Sequence, residues 1–583
     1  MSKPASGRIF DLGILRRIVS YVGPYKTRFA ITGLLVIALA LLAPIRPWLI
    51  QQAIDKDLPA GDLNGLLNMF LLVIATLVIE AIFQFYQTYY ANWVAQSVTL
   101  DLRSKLFTHV LKFKLKYFDR TPVGSFVTRL ISDIDGIAEV FSNGLLTIIG
   151  DLLKLVFVII LMLVINWKMT LIVLLPIPIL LIATKIFQVA IRKAFTQVRN
   201  QVSKMNNFVQ EHVTGMSIVQ IFNREKREKE KFEGINKEHM QANINSIWAF
   251  SIFFPVVELL SAASVALLLW WGIGDVVNEK VTLGIILQFI LYIFMLYRPI
   301  RQLADRFNVL QMGIVNAERV FKVFDTEERI VDDGPLDGIK FKGDIEFKNV
   351  WFAYNDEDWV LKDLSFEVKT GQTLAFVGAT GAGKSSVINL LSRFYEFQKG
   401  EILVDGISLR EIQVDCIREN IAVVLQDVFL FSDSIKNNIT LNDSSISDEK
   451  LIAASKAVGA HPFISKLPGE YDFDVKERGG MLSVGQRQLL AFIRAYVYNP
   501  SILVLDEATS SVDTESEELI QHAIQKLTEG RTSIIIAHRL STIQKADKII
   551  VLDKGMVVEQ GSHQELIEQE GHYRKLFELQ FQD

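Results

Sequence analysis

Residues 374–394 read Leu374-Ala-Phe-Val377, then Gly378-Ala379-Thr380-Gly381-Ala382-Gly383-Lys384-Ser385, then a helical stretch from Ser386 to Phe394. The apolar run fits a buried strand. The middle segment is the phosphate-binding loop pattern, in the strand–loop–helix setting that gives the pattern its meaning. Its glycines let the backbone curl until several N–H groups point at phosphate oxygens. The following helix offers its positive end to the same anion. Lys384 is then placed to reach the β- and γ-phosphates of ATP, and Ser385 to ligate Mg²⁺. The bare pattern should arise by chance roughly 0.02 times in a chain of this size. That decides the C-terminal half as a P-loop α/β fold, with Gly378 through Ser386 as its candidate ATP-binding loop.

Downstream, a second apolar run, Ile502–Leu505, ends in Asp506-Glu507. A carboxylate at the end of a buried strand beside such a loop is where Mg²⁺ needs a ligand, which suits Asp506. Glu507 is next in line to accept a proton from the attacking water. An apolar run followed by two acids is common by itself and gains force from its company. That company is Gln426, then Leu482-Ser483-Val484-Gly485-Gln486 ahead of a helical stretch Arg487–Tyr498. Ser510-Ser511-Val512-Asp513 follows, and then His538 after the apolar run Ile534–Ala537.

The N-terminal half is of another kind. The whole chain has 583 residues, 61 Lys and Arg, 65 Asp and Glu and a formal charge of −4. Its mean hydropathy is +0.28. It is too apolar for a disordered chain, and one cysteine, Cys416, excludes a small disulfide-stapled secreted fold. The near-neutral charge is a cancellation: residues 1–322 carry +12 and residues 323–583 carry −16. The long apolar runs all lie in the basic half. Six are near the roughly 20 residues a membrane helix needs: Phe29–Ile50, Leu66–Tyr90, Leu145–Ile165, Met169–Phe187, Phe250–Trp271 and Val281–Leu303.

Lys and Arg concentrate before the first run and in the segments after the second and fourth, whereas the loops around Asp55 and Asp275 are acidic. By the positive-inside rule both termini and the P-loop half face the cytoplasm. The two basic segments repeat apolar residues at helical spacing, so spans two to five should continue as helices beyond the membrane. No cleavable signal peptide is expected, and residues 12–22 suit a short interfacial helix. The expected organisation is an interfacial helix in 1–28, a six-span domain in 29–322, a linker in 323–343 and a nucleotide domain in 344–583.

The order Gly378–Ser385, Gln426, Leu482–Gln486, Asp506-Glu507, Ser510–Asp513, His538 resembles the nucleotide-binding domain of ATP-binding-cassette (ABC) transporters. The string Tyr117-Phe118-Asp119-Arg120-Thr121-Pro122-Val123-Gly124, continuing to Asp135, is similar to the first cytoplasmic loop of the exporter branch, and Gly215–Phe222 to the second. The resemblance covers nearly the whole chain. It implies an exporter-type half-transporter, with a membrane domain fused to a C-terminal cassette that contains an α-helical subdomain.

Further roles follow from the resemblance alone. It implies that Tyr354 stacks on adenine, that Gln426 senses Mg²⁺ and couples to the membrane domain, and that His538 contacts the γ-phosphate. Asp513 communicates across a dimer. Ser483, Gly485 and Gln486 grip the ATP held by a second subunit, so the partner is a second copy or a sister half-transporter. The family's commonest signature has Gly where Val484 stands, which leaves homodimer and heterodimer both open. Glu477 sits in a related contact loop. Phe118, Asp119 and Ile218 are the expected coupling positions.

Ionisable groups inside the spans are functional candidates by default. Glu80 and Glu258 are the candidate cavity residues, either on a path for a cationic or amphipathic substrate or in interhelical pairs that fix the bundle. Asp151 and Lys154, three apart, could pair with each other. The expected function is ATP-driven export of a drug-like or lipid-like molecule across the cytoplasmic membrane. A lipid or lipid-linked glycan flippase, a peptide exporter and an ATP-gated channel or regulator are the alternatives. No nucleic acid is expected as a partner, because the soluble half is acidic.

Overall fold

The computed structural model describes residues 12–277, 280–328, 330, 332, 334–355, 357–506, 514–537 and 540–581. They fall into two compact units. One takes the chain up to Leu111 together with Val123–Glu327. The other takes Lys112–Pro122 with Glu328–Asp583. The second unit is therefore discontinuous: a short piece of the first expected cytoplasmic loop belongs to it.

The first unit is helical. Among the described residues, five helical stretches, Gly23–Asp57, Leu63–Val110, Val123–Leu174, Glu225–Val277 and Leu283–Ile300, are long and apolar enough to cross a membrane. The helix Leu63–Val110 has 48 residues and Glu225–Val277 has 53. At about 1.5 Å per residue both outrun a hydrocarbon core of about 30 Å, as the periodic basic segments suggest. Asp62 starts the first of them by accepting from the amides of Asn64 and Gly65, each at 3.0 Å.

The fourth expected span is not one helix. Asn166 leaves helical geometry (φ −157°, ψ 103°), and its side chain accepts from the amides of Lys168 and Met169 at 3.1 Å. It thereby ends one span and caps the next within a single residue. The new helix then breaks at Leu175-Pro176 before resuming as Ile177–Thr214, because proline has no N–H to give and clashes with the preceding turn. The first expected span is interrupted in the same way at Ala43-Pro44, between the helices Lys26–Leu42 and Ile45–Gln52. There Tyr292 donates its hydroxyl to the Pro44 carbonyl at 3.0 Å, satisfying a polar backbone atom that lipid could not.

A helix Leu12–Ser20 falls in the stretch where an interfacial helix is expected. Arg17 forks onto both oxygens of Asp325 at 2.8 Å and lies 4.2 Å over the Phe321 ring. This bond holds the Asp325 carboxyl below its ordinary range.

The second unit carries two sheets. The strands are β1 Ile345–Ala353, β2 Trp359–Val368, β3 Thr373–Val377, β4 Lys399–Val404, β5 Ile407–Ser408, β6 Ile421–Val424, β7 Ile502–Asp506, β8 Thr532–Ile536, β9 Lys548–Asp553 and β10 Met556–Gly561. The antiparallel sheet runs β2-β1-β4-β5, and the larger sheet runs β10-β9-β3-β8-β7-β6. Strands β9, β3, β8, β7 and β6 are parallel, and only β10 is antiparallel. β3, β7 and β8 are apolar on both faces, as parallel strands covered by helices must be. A mostly helical region from Ile435 to Val497 packs Leu451, Leu489 and Phe492 into a core shared with one face of the larger sheet, at Val377, Leu505 and Ile535.

Candidate nucleotide site and membrane cavity

In an open parallel sheet, ligands bind beyond the carboxyl ends of the strands. β3, β8, β7 and β6 are consecutive neighbours, so their carboxyl ends form one row. The phosphate-loop segment leaves β3, and Gln426 lies two residues past β6, exposed. Asp506 closes β7.

The loop's shape depends on two glycines. A Cβ on Gly378 would stand 2.3 Å from the Leu552 carbonyl oxygen, and one on Gly383 would stand 2.7 Å from the Leu361 side chain. Gly383 also holds φ +102° as the cap of the helix Lys384–Leu391, a conformation that a side chain disfavours. Ala379, Thr380 and Gly381 are exposed at the rim, whereas Ala382 is buried beneath it.

Lys384 is buried, and its ammonium donates to the carbonyls of Gly378 at 2.6 Å and Ala379 at 3.0 Å. Burial pushes its pKa down, while the Asp506 carboxylate opposes that shift. A phosphate entering the loop offers this buried cation a counter-charge. The Ser385 hydroxyl faces Asp506 at 3.4 Å. A hydroxyl and a carboxylate at that spacing form an all-oxygen donor set, which suits Mg²⁺ completed by phosphate oxygens. The structure brings Lys384, Ser385 and Asp506 to one sheet edge. Glu507, Asp513 and His538 lie outside the described residues.

Tyr354 follows β1 and is half-buried. Its hydroxyl meets Ser386 Oγ at 3.1 Å and accepts from Asn389 at 3.0 Å. Its ring meets Tyr395 edge-on at 4.9 Å. The Tyr395 hydroxyl bonds the Asp119 carboxylate, and Arg120 donates to the Asn355 side chain at 2.5 Å. The segment Lys112–Pro122 is therefore tied to the residues around Tyr354. Burial, and then the Asp119 carboxylate, push the Tyr395 hydroxyl pKa well above its ordinary value. Sequence reasoning missed Tyr395 and Asn355, because neither belongs to a motif. Phe118, in the same segment, is partly exposed.

The signature residues sit at a helix start. Ser483 caps the helix Val484–Val497, accepting from the Gln486 amide at 3.2 Å, while Gln486 Oε1 accepts from the Ser483 amide at 3.0 Å. This reciprocal box starts the helix three residues earlier than the expected Arg487. Gly485 is buried, and Val484 is 48% exposed at the helix's first position. The extra bulk of Val484 therefore points away from the core. Glu477 lies in a short turn between Lys476 and Arg478, both at positive φ.

In the helical unit, Glu80 lines a cavity with Arg46, Asp151 and Lys154. Glu258 instead lines a shallow, largely apolar groove with Phe254 and Leu259. The two glutamates do not share a cavity. Asp151 pairs with Arg306 rather than with Lys154, since the partner on a neighbouring helix reaches it directly. Cys416 is buried, with its thiol 3.3 Å from the Ile339 carbonyl oxygen. Ile218 is exposed on the short helix Met216–Ile221.

The ABC transporter transmembrane region model matches residues 29–300, and the ABC transporter model matches residues 361–510. The chain is 36% identical to the uncharacterized ABC transporter ATP-binding protein YknV of Bacillus subtilis, over 98% of this chain and 95% of that one. The chain belongs to the ABC transporter family. This ABC transporter is also 33% identical to the putative multidrug export ATP-binding/permease protein YgaD of Bacillus subtilis, over 98% of this chain and all of that one. It is 32% identical to an ATP-dependent lipid A-core flippase of Syntrophus aciditrophicus, over 98% and 95% of the two chains. The transporter is a membrane protein whose cassette uses ATP, and its enzymatic activity is ATP hydrolysis coupled to transport.

Proposed function

We propose that this ABC transporter works as a dimer in the cytoplasmic membrane. It exports a hydrophobic or amphipathic molecule and has its cassettes and both termini in the cytoplasm. The observation that carries this reading is the convergence of Lys384, Ser385 and Asp506 at the sheet edge of a chain that also holds an apolar helix bundle. Relatives named as a multidrug exporter and a lipid A-core flippase support a hydrophobic cargo.

Mg²⁺, when bound, neutralises charge on the β- and γ-phosphates. Ser385, Gln426 and Asp506 are the residues that would hold it. Gly378–Ser386 bind the phosphates, and Tyr354 bounds the adenine side. Glu507 accepts the proton of the attacking water, and His538 orients the γ-phosphate. Ser483, Gly485 and Gln486 close over the ATP of the other subunit, and Asp513 carries the signal across. A dimer also gives cover to apolar side chains now exposed, among them Ile218, Ile221 and Phe222 on one unit and Leu425 and Phe429 on the other. Phe118, Asp119 and Ile218 transmit closure to the spans.

The test is transport in proteoliposomes. ATP should drive uphill accumulation of an amphiphilic dye. Glu507→Gln should lower turnover by about 100-fold or more while ATP binding persists. Undiminished ATPase in that variant would remove Glu507 as the base. ATP-opened downhill flux, without accumulation, would make the protein a channel.

A further inference from the structure

Inside the helical unit, a cavity of about 660 Å³ opens among the helices Lys26–Leu42, Ile45–Gln52, Leu63–Val110, Leu145–Leu174 and Leu283–Phe324. Small-ligand sites span roughly 300–1,000 Å³. Its wall carries four cationic side chains, Arg46, Lys154, Arg298 and Arg306, against two anionic ones, Glu80 and Asp151.

Both acids are already engaged. Arg46 donates to Glu80 at 3.1 Å, and Arg306 pairs with Asp151. Lys154 and Arg298 make no hydrogen bond or ion pair among the described residues. Lys154 feels the fields of Glu80 and Asp151, but each of those is neutralised by an arginine. Cations at membrane depth are costly without a counter-charge. Lys154, half-buried within its span, therefore calls for an anion brought in from outside, and Arg298, exposed near the end of the last span, lines the same cavity. Much of the remaining wall is apolar, as at Val36, Leu39, Leu146 and Phe294, which suits a hydrophobic tail and not a free ion.

We propose that this cavity binds an amphiphile with an anionic head group, held between Lys154 and Arg298. The proposal rests on the exporter reading above and names the class of its cargo. It keeps the amphipathic part of the sequence expectation for Glu80 and Glu258 and replaces the cationic part. Arg46 cancels the first of those charges, and the second lies in a separate groove.

Binding is measured on the purified full-length protein in phosphatidylcholine nanodiscs. The probes are fluorescent phosphatidic acid, a quaternary-ammonium amphiphile of matched chain length, and inorganic phosphate as competitor. Phosphatidic acid should bind about tenfold tighter than the ammonium amphiphile or better. Inorganic phosphate at the same concentration should not displace it. Lys154→Gln and Arg298→Gln should each weaken phosphatidic acid by about tenfold, and Lys154→Arg should restore it. Glu80→Gln, which releases Arg46, should tighten it, a gain that mere damage to the bundle would not produce.

Equal or tighter binding of the ammonium amphiphile would overturn the proposal. So would unchanged phosphatidic acid affinity in both Gln variants, weaker binding in Glu80→Gln, or displacement by inorganic phosphate. Failure of the exporter reading looks different: no amphiphile of either charge is transported on ATP addition, whatever binds.

Discussion

Gly383 combines a left-handed backbone with a Leu361 side chain 2.7 Å from where a Cβ would sit. Gly383→Ala should therefore strain the phosphate loop by about 1–3 kcal/mol. The nucleotide-induced rise in melting temperature should shrink or vanish. A variant that keeps the full rise would show that the loop relaxes freely. Ser483 supplies a cap that Ala cannot, so Ser483→Ala should destabilise the cassette by about 1 kcal/mol. Val484→Gly should change cassette stability by no more than about 1 kcal/mol, because the valine is 48% exposed and packs on no core. Denaturant titration of both variants compares them directly. The loop residues were legible in the sequence because their spacing is itself the chemistry. The charge pairs of the helical unit were not. Asp151 and Lys154 are neighbours in sequence, but Asp151 finds Arg306, 155 positions away, through the packing of two helices. Helical spacing reports which residues share a face and is silent on which face meets which.

At the scale of elements, the helices Ile177–Thr214 and Glu225–Val277 are clamped near one end. His212 stacks on Phe208 at 3.8 Å and meets Glu228 at 2.9 Å. The bond to Glu228 raises the His212 pKa above its ordinary value of 6.5 and, after Lys231, holds the Glu228 carboxyl below its own. A raised histidine pKa contributes stability that is full below about 6.5 and is lost as pH climbs through the higher folded value. Hydrogen exchange around Phe208 and Glu228 should accelerate as pH rises across that window, after correction for intrinsic rates. His212→Gln should flatten the dependence, and a profile identical to the parent's would discount the clamp.

The bond from Tyr395 to Asp119 makes a second prediction at this scale. Asp119→Ala and Tyr395→Phe should each lower transport per ATP hydrolysed by a similar factor, and the double variant by little more. Additive losses would mean the two act separately. Long helices and parallel strands could be read from periodicity. The break at Pro176 inside an otherwise apolar run was less visible, since hydropathy averages across a residue whose effect is on the backbone.

At the scale of the molecule, two readings of the same chain differ. The sequence divides once, near Lys322, by charge and hydropathy. The structure divides it so that Lys112–Pro122 joins the cassette unit, through Lys114 donating its amide to Glu328 at 3.0 Å and Ile330 donating to Lys112 at 3.3 Å. No composition shift marks that segment, because its loyalty is set by a handful of hydrogen bonds. For the whole protein, light scattering in detergent should give twice the mass of the 66.0 kDa chain. Glu507→Gln with ATP should hold that dimer against dilution. A monodisperse single chain with full ATPase would contradict the proposed assembly.

The discontinuity also sets a schedule for biosynthesis. Asp119 leaves the ribosome 276 residues before Tyr395, the side chain that will bond it. At roughly 5–20 residues per second, that interval is on the order of 14–55 seconds. During it the segment around Phe118 and Asp119 has been made and its cassette partner has not. A neighbouring nascent chain on the same message can offer a finished cassette in that interval. Slow codons placed between the two segments should then raise the yield of intertwined dimers, and faster ones should lower it.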